Sequence, residues 1–167
     1  MTEAWLDFSV VVLVQLLLFL VHAHYEKRMA ETPRILARGI LIGIFFGVFF
    51  DLLVGKVFGL YTYTLGFGLG FLTINGALSY GFMQANALLM ERARFFHFYV
   101  WTIVVGIVYE MTNFFFPVWS WEFGSPITEL IVVHAFGYIG LAILMALTWH
   151  LFLGHKFTFI ENLLKQR

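Results

Sequence analysis

Long apolar runs, each closed by charged residues, proline or glycine, dominate the pattern of the chain. A helix needs about 20 apolar residues to cross the hydrocarbon core of a bilayer. The third run is too long for one upright span, so we expect a tilt or a non-spanning turn before it. The pattern predicts an all-α, polytopic membrane helical bundle of about five transmembrane helices: 5–23, 35–54, one within 61–90, 95–116 and 128–153.

Three residues are expected to set helix ends. Pro33 suits the first turn of the second span, because proline lacks the N–H that a first turn leaves unpaired. Pro117 is expected to stop the fourth span. Gly154 is expected to end the fifth, because glycine readily adopts the left-handed conformation at a helix C-terminus.

Positive charges give the predicted orientation. Lysine and arginine collect in cytoplasmic loops, and with five spans all but Lys56 of the ten such residues fall on one side. We therefore predict an N-terminus outside and a cytoplasmic C-terminus. The chain is treated as a single membrane domain, 1–167, whose tail, 154–167, lies along the inner interface.

Composition narrows the function classes. The chain has 167 residues, of which 61% are hydrophobic and 12% are charged, with no net charge. A soluble domain has about twice that share of charged residues, so a soluble enzyme or a disordered linker is excluded. The zero net charge gives no reason to expect nucleic acid as a partner. The lack of cysteine removes disulfides and thiolate chemistry.

The second span carries a stripe of small residues spaced four apart, which share one helix face. Such a stripe lets a neighbouring helix approach closely. Asp51 lies within the stripe, so its side chain is expected to face protein rather than lipid. The stripe consists of Gly39, Gly43, Gly47, Asp51, Gly55 and Gly59.

Polar residues within the spans give the candidate site. Asp51 and Glu110 end two parallel spans at similar depth, and charge is costly there. A protonated carboxyl in an apolar pocket would serve as a proton donor, although the two acids are equally suited to holding helices together. We expect Asp51, Glu110, Asn113, Glu129 and His134 to converge on one pocket, with Tyr61, Tyr63, Trp119 and Trp121 at its rim.

Histidine spacing argues against a metal site. No H-E-x-x-H pattern occurs, and that pattern is what places two histidines on one helix face for zinc. His22 and His24 are expected at the membrane edge. No metal and no cofactor are predicted.

A two-helix unit is predicted to occur twice. The sequence F-D-L-L-V-G-K-V-F-G-L-Y-T-Y at 50–63 resembles Y-E-M-T-N-F-F-F-P-V-W-S-W at 109–121. Each copy holds an acid near the end of a span and then an aromatic-x-aromatic turn. The first repeat is placed at 35–90 and the second at 95–153. Binding sites in membrane proteins often lie between such repeats.

The stretch G-V-F-F-D-L-L-V-G-K-V-F-G-L-Y at 47–61 resembles the membrane-embedded lycopene cyclase domain of carotenoid biosynthesis. The resemblance implies an isomerase that cyclises an isoprenoid by acid catalysis in the bilayer, without a cofactor, with Glu110 and Glu129 as acid and base and Asp51 in support. The family's double-glutamate motif is incomplete here, because T-I-N-G stands at 73–76 and P-I-T-E at 126–129.

A second stretch, 43–60, resembles the bacterial rod-shape-determining membrane scaffolds. This resemblance implies a non-catalytic subunit of a larger complex, with a partner membrane subunit or a homo-oligomer. A subunit of a small-molecule transporter is a third alternative. The resemblances together imply the cell membrane of a bacterium or an archaeon, with a membrane lipid or an isoprenoid as ligand.

Overall fold

The computed structural model describes residues 2–123, 128, 132–133 and 137–165. It is 81% helical, which confirms the predicted all-α class. Among the described residues, three helical segments are long and apolar enough to cross a membrane: Glu3–Tyr25, Met29–Val57 and Phe95–Phe115. An integral membrane protein is compatible with these lengths.

The elements follow one another in a simple order. Helix α1 is followed by α2, which continues into a π-helical turn, and α3 and α4 are joined by a second π-helical turn. Helix α5 precedes the second of two short strands. The bounds are α1 Glu3–Tyr25, α2 Thr32–Phe50, π-turn Asp51–Val57, β1 Tyr61–Tyr63, α3 Leu69–Asn75, π-turn Gly76–Tyr80, α4 Gly81–Leu89, α5 Phe95–Phe115, β2 Trp119–Trp121, α6 Tyr138–Leu153 and α7 Thr158–Lys165.

The predicted helix ends are confirmed. Pro33 lies in the first turn of α2. Helix α5 ends at Phe115, two residues before Pro117. Gly154 caps α6 with φ 71°, in the left-handed region that glycine adopts without steric cost. The third apolar run does begin with a non-spanning segment, because β1 and its loop precede the helix that starts at Leu69.

The glycine stripe brings two helical segments into backbone contact. A Cβ atom on Gly39 would lie 2.5 Å from the carbonyl oxygen of Gly81, and one on Gly43 would lie 2.5 Å from that of Gly76. The expectation of a closely packed neighbour is therefore confirmed, and that neighbour is the α3–α4 segment of the same chain. Asp51, in the same stripe, is fully buried as expected.

The core and the outer surface are both apolar. Phe19, Leu88, Phe98 and Trp149 pack together at the centre of the main cluster, and Phe157 beside α7 closes it. Large side chains also cover the outside, and examples lie on three helices, α2, α5 and α6: Phe45 is 70% exposed, Phe96 76%, Phe114 78% and Phe152 81%. A soluble monomer rarely exposes so much apolar surface, so this surface suits contact with lipid.

The two strands pair with each other. Strands β1 and β2 are antiparallel, with Tyr61 opposite Trp121 and Tyr63 opposite Trp119. Each strand follows the helical segment that carries one of two acids, Asp51 or Glu110. The pairing therefore joins the two acid-bearing segments at the same end of the bundle.

Candidate functional site: two acid clusters around a cavity

Asp51 is the centre of a dense hydrogen-bond cluster. Its Oδ1 atom accepts hydrogen bonds from the hydroxyls of Tyr61 at 2.5 Å, Tyr63 at 2.9 Å and Tyr80 at 2.7 Å. Its Oδ2 atom accepts a bond from Asn75 Nδ2 at 3.0 Å. Four donors therefore surround one buried carboxyl group and occupy both of its oxygen atoms.

The cluster is built on irregular helix. Asp51 begins one π-helical turn and Tyr80 ends the other. A π-turn widens the helix, and such turns are frequent at functional sites. Both turns bring polar side chains to the same point between α2 and α4.

Glu110, on α5, is the centre of a second cluster. Its Oε1 atom accepts hydrogen bonds from the indole N–H of Trp119 at 3.3 Å, the indole N–H of Trp121 at 3.1 Å and the hydroxyl of Tyr138 at 2.7 Å. Glu110 has further interactions beyond these three. A second acid is thus held by two strand aromatics and by a tyrosine from the next helix.

The two clusters match in sequence spacing. The Asp51 donors Tyr61, Tyr63 and Tyr80 lie 10, 12 and 29 residues after the acid. The Glu110 donors lie 9, 11 and 28 residues after theirs. The aromatic pairs that the sequence comparison aligned therefore hold equivalent places around the two acids, and each cluster gains a tyrosine from the following helical segment.

A glycine four residues before each acid makes room for that tyrosine. A Cβ atom on Gly47 would lie 2.7 Å from Tyr80 Cδ2, and one on Gly106 would lie 2.8 Å from Tyr138 Cδ2. Carbon atoms pack at about 3.5–4.0 Å, so any larger residue would displace the ring. Each unit therefore combines a glycine, an acid, two strand aromatics and a tyrosine.

A cavity of about 180 Å³ lies between the two clusters. Leu60 and Val132 line it and are each more than one-third exposed, at 37% and 38%, so the cavity reaches the outer surface of the protein. Its aromatic wall comes from both clusters: Tyr61, Tyr63, Tyr80, Trp119, Trp121 and Tyr138. Neither acid is among the residues that line the cavity, whereas the aromatic donors to both acids are.

Gln15 contributes an unpaired amide to the cavity. It lies on α1, is only 1% exposed and lines the cavity. Neither Nε2 nor Oε1 has a hydrogen-bond partner among the described residues. A buried amide without a partner costs about 1–3 kcal/mol, so Gln15 adds a polar position to the cavity wall.

The other predicted site residues fall in different places. Asn113 does not line the cavity; it fixes the strand loop, since its Nδ2 donates to the Trp119 carbonyl and its Oδ1 accepts from the Val118 and Trp119 amides. Glu129 and His134 lie outside the described residues. Tyr61, Tyr63, Trp119 and Trp121 do line the cavity, as expected for its rim.

Tyr61 stays a hydrogen-bond donor over a wide pH range. The residue lies in β1, outside the candidate spans, and is 4% exposed. Burial, followed by the nearby Asp51 carboxylate, raises the pKa of its phenol far above the usual value. The hydroxyl therefore remains protonated at neutral pH and continues to donate to Asp51.

Sequence reasoning missed Tyr80, Tyr138 and Gln15 as parts of the site. The first two carried a signal, because Tyr80 follows Asp51 at nearly the distance at which Tyr138 follows Glu110. Extending the repeat comparison past the aromatic pairs would have found them. Gln15 belongs to α1, outside both proposed repeats, and no spacing pointed to it.

The chain matches no known protein-family model, no curated protein and no solved structure. The proposed function therefore rests on the geometry of the two acid clusters and the cavity.

Proposed function

We propose that the protein binds the end group of an isoprenoid lipid in the cavity and cyclises it by acid–base catalysis. The observation that carries this proposal is the placement of two acid clusters on either side of one apolar, aromatic-walled cavity. Aromatic faces stabilise cations, which suits a reaction that passes through a carbocation. The resemblance to the lycopene cyclase domain supports the same reaction class.

The size of the cavity sets the size of the ligand portion. An apolar cavity of about 150 Å³ holds a benzene-sized molecule, and the volume here is about 180 Å³. A six-membered ring at the end of a polyene fits that volume, whereas a whole carotenoid does not. The rest of the chain would leave past Leu60 and Val132 into the lipid.

The two clusters suggest different roles for their acids. Asn75 donates to Oδ2 of Asp51 while three tyrosines donate to Oδ1, and we assign Asp51 the role of the base because all four partners donate to it. At Glu110 the donors Trp119, Trp121 and Tyr138 share Oε1. We assign Glu110 the role of the acid, because Tyr138, its donor at 2.7 Å, also lines the cavity. Paired groups in contrasting environments are typical of acid–base sites.

The proposed reaction runs through the tyrosines, because they line the cavity and contact the acids. Glu110 transfers a proton to the Tyr138 oxygen as Tyr138 passes its own hydroxyl proton to a terminal double bond of the polyene, so that no tyrosinate forms. The carbocation closes on a second double bond. A ring proton then passes to the Tyr80 oxygen while Tyr80 gives its own proton to Asp51. The substrate gains one proton from Tyr138 and loses one to Tyr80, so the protons balance. A proton returned from Asp51 to Glu110 would restore the starting protonation state of the site.

The proposal includes the predicted arrangement in the membrane: five spans, an outer N-terminus, a cytoplasmic C-terminus and a parallel internal repeat. Matched spacing around Asp51 and Glu110 supports the repeat. Binding at an interface between repeats is common in membrane proteins. The outer aromatic surface, including Phe114 and Phe152, supports entry of the ligand from lipid.

Pigment analysis tests the proposal. The chain is expressed in a bacterial host that accumulates lycopene, and the carotenoids are separated by chromatography. We expect cyclised products with the wild type and with Tyr99→Phe, a tyrosine outside both clusters. Tyr138→Phe and Tyr80→Phe keep the rings and remove the hydroxyls, so each should lower product formation at least tenfold. Unchanged lycopene with folded wild-type protein would refute cyclisation of this substrate.

A structural role for the acids is the second candidate, and one observation favours it. The four donors to Asp51 tie β1 and the α3–α4 segment to α2. In a non-catalytic scaffold, Asp51→Asn would lower stability without changing any pigment. The internal packing of Gly39 and Gly43 removes the glycine stripe as an argument for assembly with another chain.

A further inference from the structure

Two histidines and a glutamate meet at the end of the bundle opposite the strands. His22 and Glu26 lie at the end of α1, and His97 lies in the first turn of α5. Their ligand atoms all lie within 4.8 Å of one another. Glu26 Oε1 is 2.9 Å from His97 Nε2 and 3.8 Å from His22 Nε2.

His22 is held with one nitrogen facing this group. Asn86 Nδ2 donates to the Phe82 carbonyl, so its Oδ1 is oriented to accept, and His22 Nδ1 lies 2.8 Å from that oxygen. The proton of a neutral His22 therefore sits on Nδ1, which leaves a lone pair on Nε2. A hydrogen bond on the far nitrogen is how proteins orient metal-binding histidines.

The Nε2 atom of His22 has no partner of its own. The residue is 0% exposed, and Nε2 has no hydrogen-bond partner in the described part of the chain. The nearest oxygen, Glu26 Oε1, is 3.8 Å away, too far for a hydrogen bond. A cation between His22 Nε2 and Glu26 Oε1 would accept the lone pair of the nitrogen and neutralise the carboxylate.

We propose that His22, Glu26 and His97 bind a divalent transition-metal ion such as Zn²⁺. Zinc binds histidine nitrogen and carboxylate oxygen at about 2.0–2.2 Å, so tetrahedral ligand atoms lie about 3.4 Å apart. The separations of 2.9 and 3.8 Å bracket that value. Two histidines and one glutamate form a known zinc ligand set that keeps a fourth position open.

The surroundings permit entry and hold the ligands in place. The side chains of His97 and Glu26 are 35% and 23% exposed, so an ion has a path to the buried His22. Trp101 stacks on the His22 ring at 4.3 Å. Arg28 is paired with Glu31 at 2.7 Å, so this neighbouring cation is engaged elsewhere. The ion would connect α1 to α5.

The test is a zinc titration of the full chain in detergent. The protein is stripped with a chelator and titrated with Zn²⁺ in competition with a chromophoric chelator. We expect one high-affinity Zn²⁺ per chain. Glu26→Gln and His97→Gln should each weaken binding by roughly 100-fold or more, and Asn86→Ala by about 10- to 100-fold, because it acts through His22.

Two matched variants separate this site from ordinary surface histidines. His24→Gln changes an exposed residue on the same helix, and His155→Gln changes the histidine that lies 3.6 Å from Glu91. Both should leave affinity within about twofold of the wild type. Co²⁺ added in place of Zn²⁺ should give a visible band that His97→Gln removes. Since His97 is partly exposed, this variant should fold. Absent binding, or equal affinity in His97→Gln and wild type, would overturn the proposal.

Discussion

Replacing Gly47 with alanine tests how the close helix contact supports the Asp51 cluster. The new Cβ atom would lie 2.7 Å from Tyr80 Cδ2 and 2.8 Å from the Cα atom of Gly76. The first contact is with the ring of Tyr80, whose hydroxyl donates to Asp51, and the second is with the backbone of Gly76. The change therefore acts on the helix packing and on the site at once.

Two opposing contributions set the change in the free energy of unfolding that Gly47→Ala causes. Alanine favours a helix over glycine by about 1 kcal/mol. Carbon contacts need about 3.5 Å, so α2 and the Gly76 turn must separate by roughly 0.7 Å, and overpacking of this kind costs about 1–3 kcal/mol. Because backbone cannot rotate away, the upper part of that range applies, about 2–3 kcal/mol, which leaves a net loss of about 1–2 kcal/mol after the gain in helix preference. The displaced Tyr80 hydroxyl should also weaken its bond to Asp51.

Gly140→Ala is the matched control. Gly140 lies within α6, and nothing lies within 4 Å of the Cβ position, so only the helix preference acts, with a gain of about 0.5–1 kcal/mol. The assay is reversible unfolding in mixed detergent, followed by tryptophan fluorescence. Gly47→Ala should unfold at lower denaturant and Gly140→Ala at slightly higher. If Gly47→Ala were as stable as Gly140→Ala, the close contact would not exist as described.

Two further predictions concern the strand loops. Asn113→Ala removes three hydrogen bonds to the β2 segment; with the Val118 and Trp119 amides left unpaired, unfolding measurements should show a loss of about 2–3 kcal/mol. For Tyr61, burial raises the pKa in the folded protein above that in the unfolded protein. The stability that the protonated phenol contributes is therefore complete below about pH 10, where an unfolded tyrosine titrates. Above that pH it falls by about 1.4 kcal/mol per pH unit. Melting temperatures measured against pH should therefore fall less steeply above pH 10 in Tyr61→Phe than in the wild type, and equal slopes would contradict the shift.

Local sequence patterns were sufficient to predict three of the long helices. Apolar run length places α1, α2 and α5, and Pro33 and Gly154 mark helix ends through conformational limits that belong to single residues. The glycine stripe predicted a close neighbour because spacing of four residues defines a helix face. These features depend on residues that are near one another in the chain.

The partners of the acids depend on chain segments that meet only after folding. Tyr80 reaches Asp51, and Tyr138 reaches Glu110, because a following helix packs back against the acid-bearing one. Likewise His22, expected at the membrane edge, is buried against Asn86, far away in sequence. Asn113, expected to converge on the pocket with the acids, holds the strand loop instead, because the chain turns back onto α5 after Pro117.

The central claim is that the cavity between the acid clusters holds an isoprenoid end group, and filling the cavity tests it most directly. Leu141 lines the cavity, whereas Leu144 on the same helix is 50% exposed. Mass spectrometry of lipids that co-purify with the protein should find about one isoprenoid per chain in the wild type and in Leu144→Trp, and a loss of at least tenfold in Leu141→Trp. Equal isoprenoid content in both tryptophan variants, or none in the wild type, would contradict the account.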